Sequence, residues 1–153
     1  MNIKQEYKEL VKYLDKNVFH TSKDTNDVQL NKVGKKTFGK DWGGIFAENE
    51  KIPLNTYKYF IVNTDKSNQP GTHWCAIYAD HKSSIMYVFD SFDRQTSKLL
   101  HDVDLNAKQQ HFTVRKGEHD IEQLDAQSDC GPRSMSWLIL VKKYGIDAVK
   151  SAL

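Results

Sequence analysis

The chain contains 153 residues, of which 39% are hydrophobic and 27% are charged, and its formal net charge is +2. These values predict one globular domain, residues 1–153, with a core of its own, and they exclude a disordered chain. A net charge this small does not by itself indicate nucleic-acid binding.

Two further features exclude membrane and export classes. The longest strongly apolar run, WLILV at residues 137–141, is far too short to cross a bilayer. Residues 1–17 are charged and amphipathic, which argues against a secretory signal peptide. We therefore expect a protein that is neither secreted nor membrane-bound.

The chain has two cysteines, Cys75 and Cys130, which are too few for a disulfide scaffold. A CxxC pair is absent from the sequence, which argues against a structural zinc site. The remaining question is whether either thiol is reactive.

The first half of the chain is predicted to begin with an amphipathic helix over residues 2–17, where apolar side chains recur at helical spacing. The polar segment 20–44 leads into DWGGIF, a predicted loop that contains the adjacent Gly43 and Gly44. Residues 57–64 are aromatic and β-branched, which predicts a strand.

In the second half, residues 73–80 and 84–92 are predicted to form two strands joined by a short turn. Residues 97–103 predict a short helix, and residues 110–117 alternate between apolar and polar side chains as a fourth strand would. The order of helices and strands favours an α+β fold.

The last predicted element is a helix over residues 131–145. Pro132 is tolerated in a first turn, because the amide there has no helical partner. Lys142 and Lys143 complement the dipole at the other end, and Gly145 suits the position just beyond it.

Cys130 precedes this helix, and a thiol at a helix N-terminus is favoured as the thiolate. The alternative is that Cys130 is a small buried hydrophobic residue, and its position alone does not decide between the two. A cysteine nucleophile needs a general base, usually histidine. His73 is the best candidate because it begins a strand directly after Pro-Gly-Thr and can face a cleft. The other histidines are His20, His81, His101, His111 and His119.

A third group would fix the tautomer of the histidine. Asp90 ends the strand next to the one that begins at His73, whereas Asp93 is more simply a turn-capping residue. An oxyanion hole also needs donors, which the Cys130 amide and either Gln123 or Gln127 could supply.

Taken together, these motifs resemble the adenain-like cysteine proteases of DNA viruses, which are relatives of the SUMO-specific proteases. The similarity covers residues 57–145, and DWGGIF loosely resembles a glycine-containing loop of the viral enzymes. The family's order of His, acid, Gln and Cys is kept, and the spacing to Cys130 favours Gln123 over Gln127. The matching stretches are IVNTD…GTHW (61–74), YVFDSF (87–92) and Q…SDCG (123–131).

The resemblance implies a central mixed sheet of about four to five strands packed against a helix that carries the nucleophile at its N-terminus. It implies that Cys130 is the nucleophile, His73 the base and Asp90 the residue that orients it. Gln123 and the Cys130 amide would form the oxyanion hole. Substrate would be bound by a cleft that includes Trp74, Gly43 and Gly44, with a preference for Gly before the cut bond.

The resemblance also has departures. The adenoviral enzyme is activated by a peptide that pairs with a second cysteine between the acid and the Gln, but residues 91–122 contain no cysteine. That disulfide is therefore not expected, and Cys75 is expected to be buried packing. The sequence ends soon after the nucleophile helix, which suggests a minimal enzyme. The chemistry requires no cofactor, although a peptide or DNA could activate the protein.

The leading functional hypothesis is a monomeric maturation protease that cleaves viral capsid precursors in the virion or the infected cell. A second hypothesis is a protease for ubiquitin-like modifiers. A third is a non-catalytic module that binds capsid or nucleic acid. This third hypothesis rests on a lysine cluster, which would also contact DNA if the protein is a protease. The alternative is that the cluster is simply a solvated loop. The cluster consists of Lys32, Lys35, Lys36 and Lys40.

Overall fold

A computed structural model of the chain describes residues 2–19, 27–63, 74–90, 101–117 and 130–153. The predictions for His20, His73, Asp93, His119, Gln123 and Gln127 fall outside these residues.

Within the described residues, five strands form one mixed sheet in the order β1-β2-β3-β4-β5. The pairs β1–β2 and β4–β5 are parallel, and the two central pairs are antiparallel. The strands are β1 (Trp42–Ala47), β2 (Tyr59–Asn63), β3 (Trp74–Asp80), β4 (Ile85–Phe89) and β5 (Thr113–Lys116).

Five α-helices surround the sheet in the described part of the chain. A π-helical turn, Leu14–Val18, continues the first helix, and a 3₁₀ turn, Gly39–Asp41, follows the second. The helices are α1 (Ile3–Tyr13), α2 (Asp27–Phe38), α3 (His101–Gln109), α4 (Cys130–Tyr144) and α5 (Ile146–Ala152). None of the helices described is both long and apolar enough to span a membrane.

The sheet separates two hydrophobic cores, because alternate side chains of a strand face opposite sides. Trp74 and Ala76 of β3 face the core that contains α4, whereas Cys75 and Ile77 face the core that contains α3. Helix α4 is buried along most of its length, which explains its nearly continuous apolar sequence. The predicted α+β fold with a central mixed sheet and a central helix is therefore confirmed.

The ends of α4 match the sequence prediction. Pro132 lies in the first turn of the helix. Gly145 has a φ of +89° and its amide N–H donates to the Val141 carbonyl at 2.8 Å. A left-handed residue at this point favours glycine, so Gly145 ends the helix as expected.

The segment before β2 differs from the prediction. The predicted DWGGIF loop is wrong, because Gly43 and Gly44 lie within strand β1. Gly43 is the extra residue of an irregularity in the β1–β2 register, between the paired Trp42 and Gly44. The lysine cluster likewise lies on α2 and the following 3₁₀ turn rather than in a loop.

The predicted short helix also needs correction at its end. Helix α3 runs to Gln109, six residues beyond the predicted end at Val103. Helices α2 and α5 were not predicted. The predicted first helix, the central hairpin, the fourth strand and the helix at residues 131–145 are confirmed by α1, by β3 with β4, by β5 and by α4.

Candidate active site

Cys130 is the first residue of α4, at the helix terminus where the sequence predicted it. It is 4% exposed and belongs to the same core as Trp74 and Phe89. Amide groups in a first helical turn lack partners within the helix and carry the positive end of the helix dipole. A thiolate is more stable at a helix N-terminus than elsewhere in a core, as a nucleophile requires.

Cys75 is also a thiol, but its surroundings are different. It lies inside β3, is 1% exposed and packs in the core on the opposite side of the sheet from Cys130. The prediction that Cys75 is buried packing is confirmed. The sheet lies between the two thiols, so they occupy different chemical environments.

Helix α4 is hydrogen-bonded, one turn after Cys130, to the first residue of β3. Ser134 Oγ donates to the Trp74 carbonyl oxygen at 3.0 Å, and both residues are buried. Trp74 directly follows His73 in the sequence. The helix that begins with Cys130 is thus joined to β3, whose first residue follows His73 in the sequence.

Asp90 follows directly after β4 and is 3% exposed, which is rare for a carboxylate. Strands β3 and β4 are antiparallel and pair Ala76 with Phe89. The end of β4 therefore lies beside the start of β3. This arrangement places Asp90 at the same end of the sheet as Trp74, the first residue of β3.

Trp137 joins α4 to two further elements. Its ring stacks on Phe89, the residue before Asp90, with centroids 5.6 Å apart and an angle of 16° between the ring planes. Its Nε1–H donates to the carbonyl oxygen of Gly117, which follows β5, at 3.1 Å. Ser134 and Trp137 were not among the predicted site residues. The available signal was a serine and a tryptophan, one and two turns beyond Cys130, inside a largely apolar helix.

Three of the alternative histidines lie within the described residues, and all three are exposed. His81 Nε2 lies 2.8 Å from the Leu54 carbonyl oxygen and 3.0 Å from that of Tyr57. These contacts give His81 a structural role in a loop. His101 begins α3, and His111 follows that helix with a φ of +66°.

The residues predicted to bind substrate have clear structural roles. Trp74 is 7% exposed and packs in the core beside α4. A Cβ atom added to Gly43 would lie 2.1 Å from Phe60 Cε1, so the ring of Phe60 occupies that space. Gly44 has a φ of +111°, which disfavours any other residue. Their part in substrate binding stays a prediction.

The four lysines of the cluster are all exposed. Two of them, Lys32 and Lys35, line a shallow groove with Val28 of α2 and Ile45 of β1. The groove also contains Asp27, so its charge is mixed. The role of the lysines in DNA contact stays a prediction.

Comparisons with known proteins identify the family of this chain. The sequence model that describes the adenovirus endoprotease matches residues 37–147, which include Cys130 and Asp90. A cysteine protease of African swine fever virus is 30% identical over 121 residues, which is 74% of this chain and 42% of that protein. The match thus covers less than half the length of the relative. The resemblance inferred from the sequence motifs is confirmed, and the chain belongs to the adenovirus endoprotease family.

Proposed function

We propose that this protein is a cysteine endopeptidase in which Cys130 is the nucleophile and His73 the general base. The observation that carries the proposal is the placement of Cys130 at the N-terminus of α4, with α4 hydrogen-bonded to the residue that follows His73. Membership of a family of viral cysteine proteases supports the same chemistry.

The reaction would proceed through a covalent acyl-enzyme. His73 takes the thiol proton of Cys130, and the thiolate sulfur attacks the carbonyl carbon of the scissile peptide bond. The resulting tetrahedral intermediate collapses when the C–N bond breaks and the imidazolium protonates the leaving amine. Water, deprotonated by His73, then attacks the thioester and releases the acid product and the free thiol.

Two further groups would assist these steps. Asp90, which is buried at the end of strand β4, would accept a hydrogen bond from the His73 ring and stabilise the imidazolium. Gln123 and the backbone N–H of Cys130 would donate to the oxyanion of the tetrahedral intermediate. The start of α4 supports the second donor, because the first amides of a helix have no internal partner.

We propose precursors of viral structural proteins as substrates, cut after Gly-containing sequences. The viral relative supports a viral rather than a cellular substrate. A ubiquitin-like modifier ending in Gly-Gly would present the same chemistry to the cleft. Side-by-side digestion of a viral capsid precursor and a modifier conjugate separates these substrates.

Cleavage by matched cysteine variants tests the proposal. Cys130→Ala should lower kcat/KM by about 10³-fold or more, because the covalent route is lost. Cys75→Ala is the matched control and should retain activity, since Cys75 packs on the other side of the sheet. Comparable activity of wild type and Cys130→Ala would refute the proposal.

A further inference from the structure

We infer that Ser134 is a positioning residue for this reaction, which holds the Cys130 end of α4 in a fixed position on β3, the strand whose first residue, Trp74, follows His73 in the sequence. The inference rests on the proposed function. It assigns to Ser134 a contribution to the rate without any contact with substrate.

One hydrogen bond joins the helix of the proposed nucleophile to the first residue of β3. Cys130 and Ser134 are four residues apart on α4, so they lie about one turn apart on the same side of the helix. Ser134 Oγ donates to the Trp74 carbonyl oxygen at 3.0 Å. Trp74 directly follows His73 in the sequence.

A serine is not the residue that packing alone would favour here. Alanine has a higher helix propensity and no hydroxyl to bury. A serine inside a helix often bonds to the carbonyl four residues earlier, which in this case belongs to Cys130. The hydroxyl of Ser134 instead reaches the backbone of β3.

Ser136 shows what the same residue does on this helix without such a bond. It is as buried as Ser134, with 0% of each residue exposed. Its hydroxyl has no hydrogen-bond partner in the part of the chain that the structure describes. The two serines therefore differ in the bond to β3, and Ser136 is a matched control.

The bond matters because apolar packing does not set a direction, whereas a hydrogen bond does. Helix α4 packs on β3 mainly through apolar side chains, whose attraction is non-directional. A misplacement of about 1 Å between reacting groups can lower a rate about 100-fold. Ser134 fixes the position of α4 along β3 one turn after Cys130.

The test compares wild type, Ser134→Ala, Ser134→Cys and Ser136→Ala on one peptide substrate. Ser134→Ala should lower kcat about tenfold or more with little change in KM, because reacting groups rather than substrate contacts are displaced. The acidic limb of its plot of kcat/KM against pH should move to higher pH, because an imidazolium that lies farther from the thiolate stabilises it less. The thiol of Ser134→Cys is a weaker hydrogen-bond donor, so the kcat of this variant should lie between those of wild type and Ser134→Ala. Ser136→Ala should have the kcat and pH profile of wild type.

Equal kcat values and equal pH profiles for Ser134→Ala and Ser136→Ala would overturn the inference. If circular dichroism shows that Ser134→Ala does not fold, Ser134→Cys is compared with wild type instead. A kcat and a pH profile equal to those of wild type would then overturn the inference as well. If wild type is active and the Ser134 variants have the same kcat and pH profile as wild type, only the positioning role is refuted. A wild type that neither cleaves nor reacts at Cys130 refutes the proposed function and the positioning role with it.

Discussion

Trp137 stacks nearly parallel on Phe89, with ring centroids 5.6 Å apart. One ring thus links the helix that begins with Cys130 to the strand that ends just before Asp90. The same indole donates to the carbonyl oxygen of Gly117, beside β5. Trp137 therefore joins three elements that converge on the candidate active site.

Truncation of this ring should be severe. Trp137→Ala removes a fully buried side chain, and we expect it to lower the free energy of unfolding by about 3–5 kcal/mol. Trp137→Phe keeps a ring against Phe89 but loses the bond to Gly117, so its loss should be smaller. Urea denaturation of both variants measures this order. A Trp137→Ala variant as stable as Trp137→Phe would contradict it.

Gly43 provides a second test, which separates a structural from a substrate-binding role. In Gly43→Ala the new Cβ would overlap the Phe60 ring, and overpacking of this kind costs about 1–3 kcal/mol. Combining Gly43→Ala with Phe60→Leu should cost less than the sum of the two single changes, because leucine vacates that space. Additive losses in the thermal or urea unfolding of the three variants would show that this contact is not the reason for glycine.

Most of the sheet and α4 could be predicted from the sequence because their patterns are local. Residues 57–64 and 84–92 concentrate β-branched and aromatic residues between turn signals, and α4 has recognisable residues at both ends. Strand β1 could not be predicted, since its two glycines signal a loop. They lie in a strand because Phe60 fills the space at Gly43 and the backbone turns at Gly44.

Helix α2 was missed for a related reason. Its buried positions are Leu30, Gly34 and Phe38, and the central one is glycine. A Cβ atom at Gly34 would lie 2.2 Å from Trp42 Cε2, so the glycine is set by a tertiary contact. A periodic apolar stripe with a glycine at its centre is a weak sequence signal.

Some parts of the candidate site could likewise be predicted from the sequence and others could not. Cys130 at a helix terminus and Asp90 at a strand end could be predicted, because each depends on local sequence. The bonds of Ser134 and Trp137 could not, since they depend on how α4 packs across the sheet. The predicted roles of His73 and Gln123 depend on residues outside those described.

The tyrosines at the other end of the sheet predict a loss of stability in alkali. Burial, followed by the nearby Tyr78 and Asp41, raises the pKa of Tyr59 from 10.0 to about 12. Because the folded pKa lies above the unfolded one, this stability is fully present below about pH 10 and is lost as the pH rises toward 12.

Tyr59→Phe should reduce that loss. The variant keeps a ring against Phe38, whose centroid lies 4.3 Å from that of Tyr59, but has no hydroxyl to ionise. Urea unfolding measured from about pH 8 to about pH 11 should give a flatter alkaline decline than in wild type. Parallel declines in the two proteins would mean that Tyr59 does not titrate as described.

DNA binding, if it assists the reaction, should depend on the exposed lysines of α2 and the turn after it. Replacing all four with glutamine should weaken binding and lower its salt dependence by about 0.9 in log–log slope for each lost phosphate contact. Fluorescence anisotropy of labelled DNA against salt measures both. A matched control replaces three exposed lysines of α1, and equal losses in the two variants would contradict a specific role for α2. The α2 set is Lys32, Lys35, Lys36 and Lys40, and the control set is Lys4, Lys8 and Lys12.

The central claim is that the thiol at the start of α4 is the reactive one. An electrophilic peptide that ends in Gly-Gly, incubated with the full chain and followed by peptide mapping by mass spectrometry, tests this most directly. Because Cys130 lies at the helix N-terminus and Cys75 packs on the far side of the sheet, we predict one adduct, on Cys130. An adduct on Cys75, or no adduct on a folded protein, would contradict the claim.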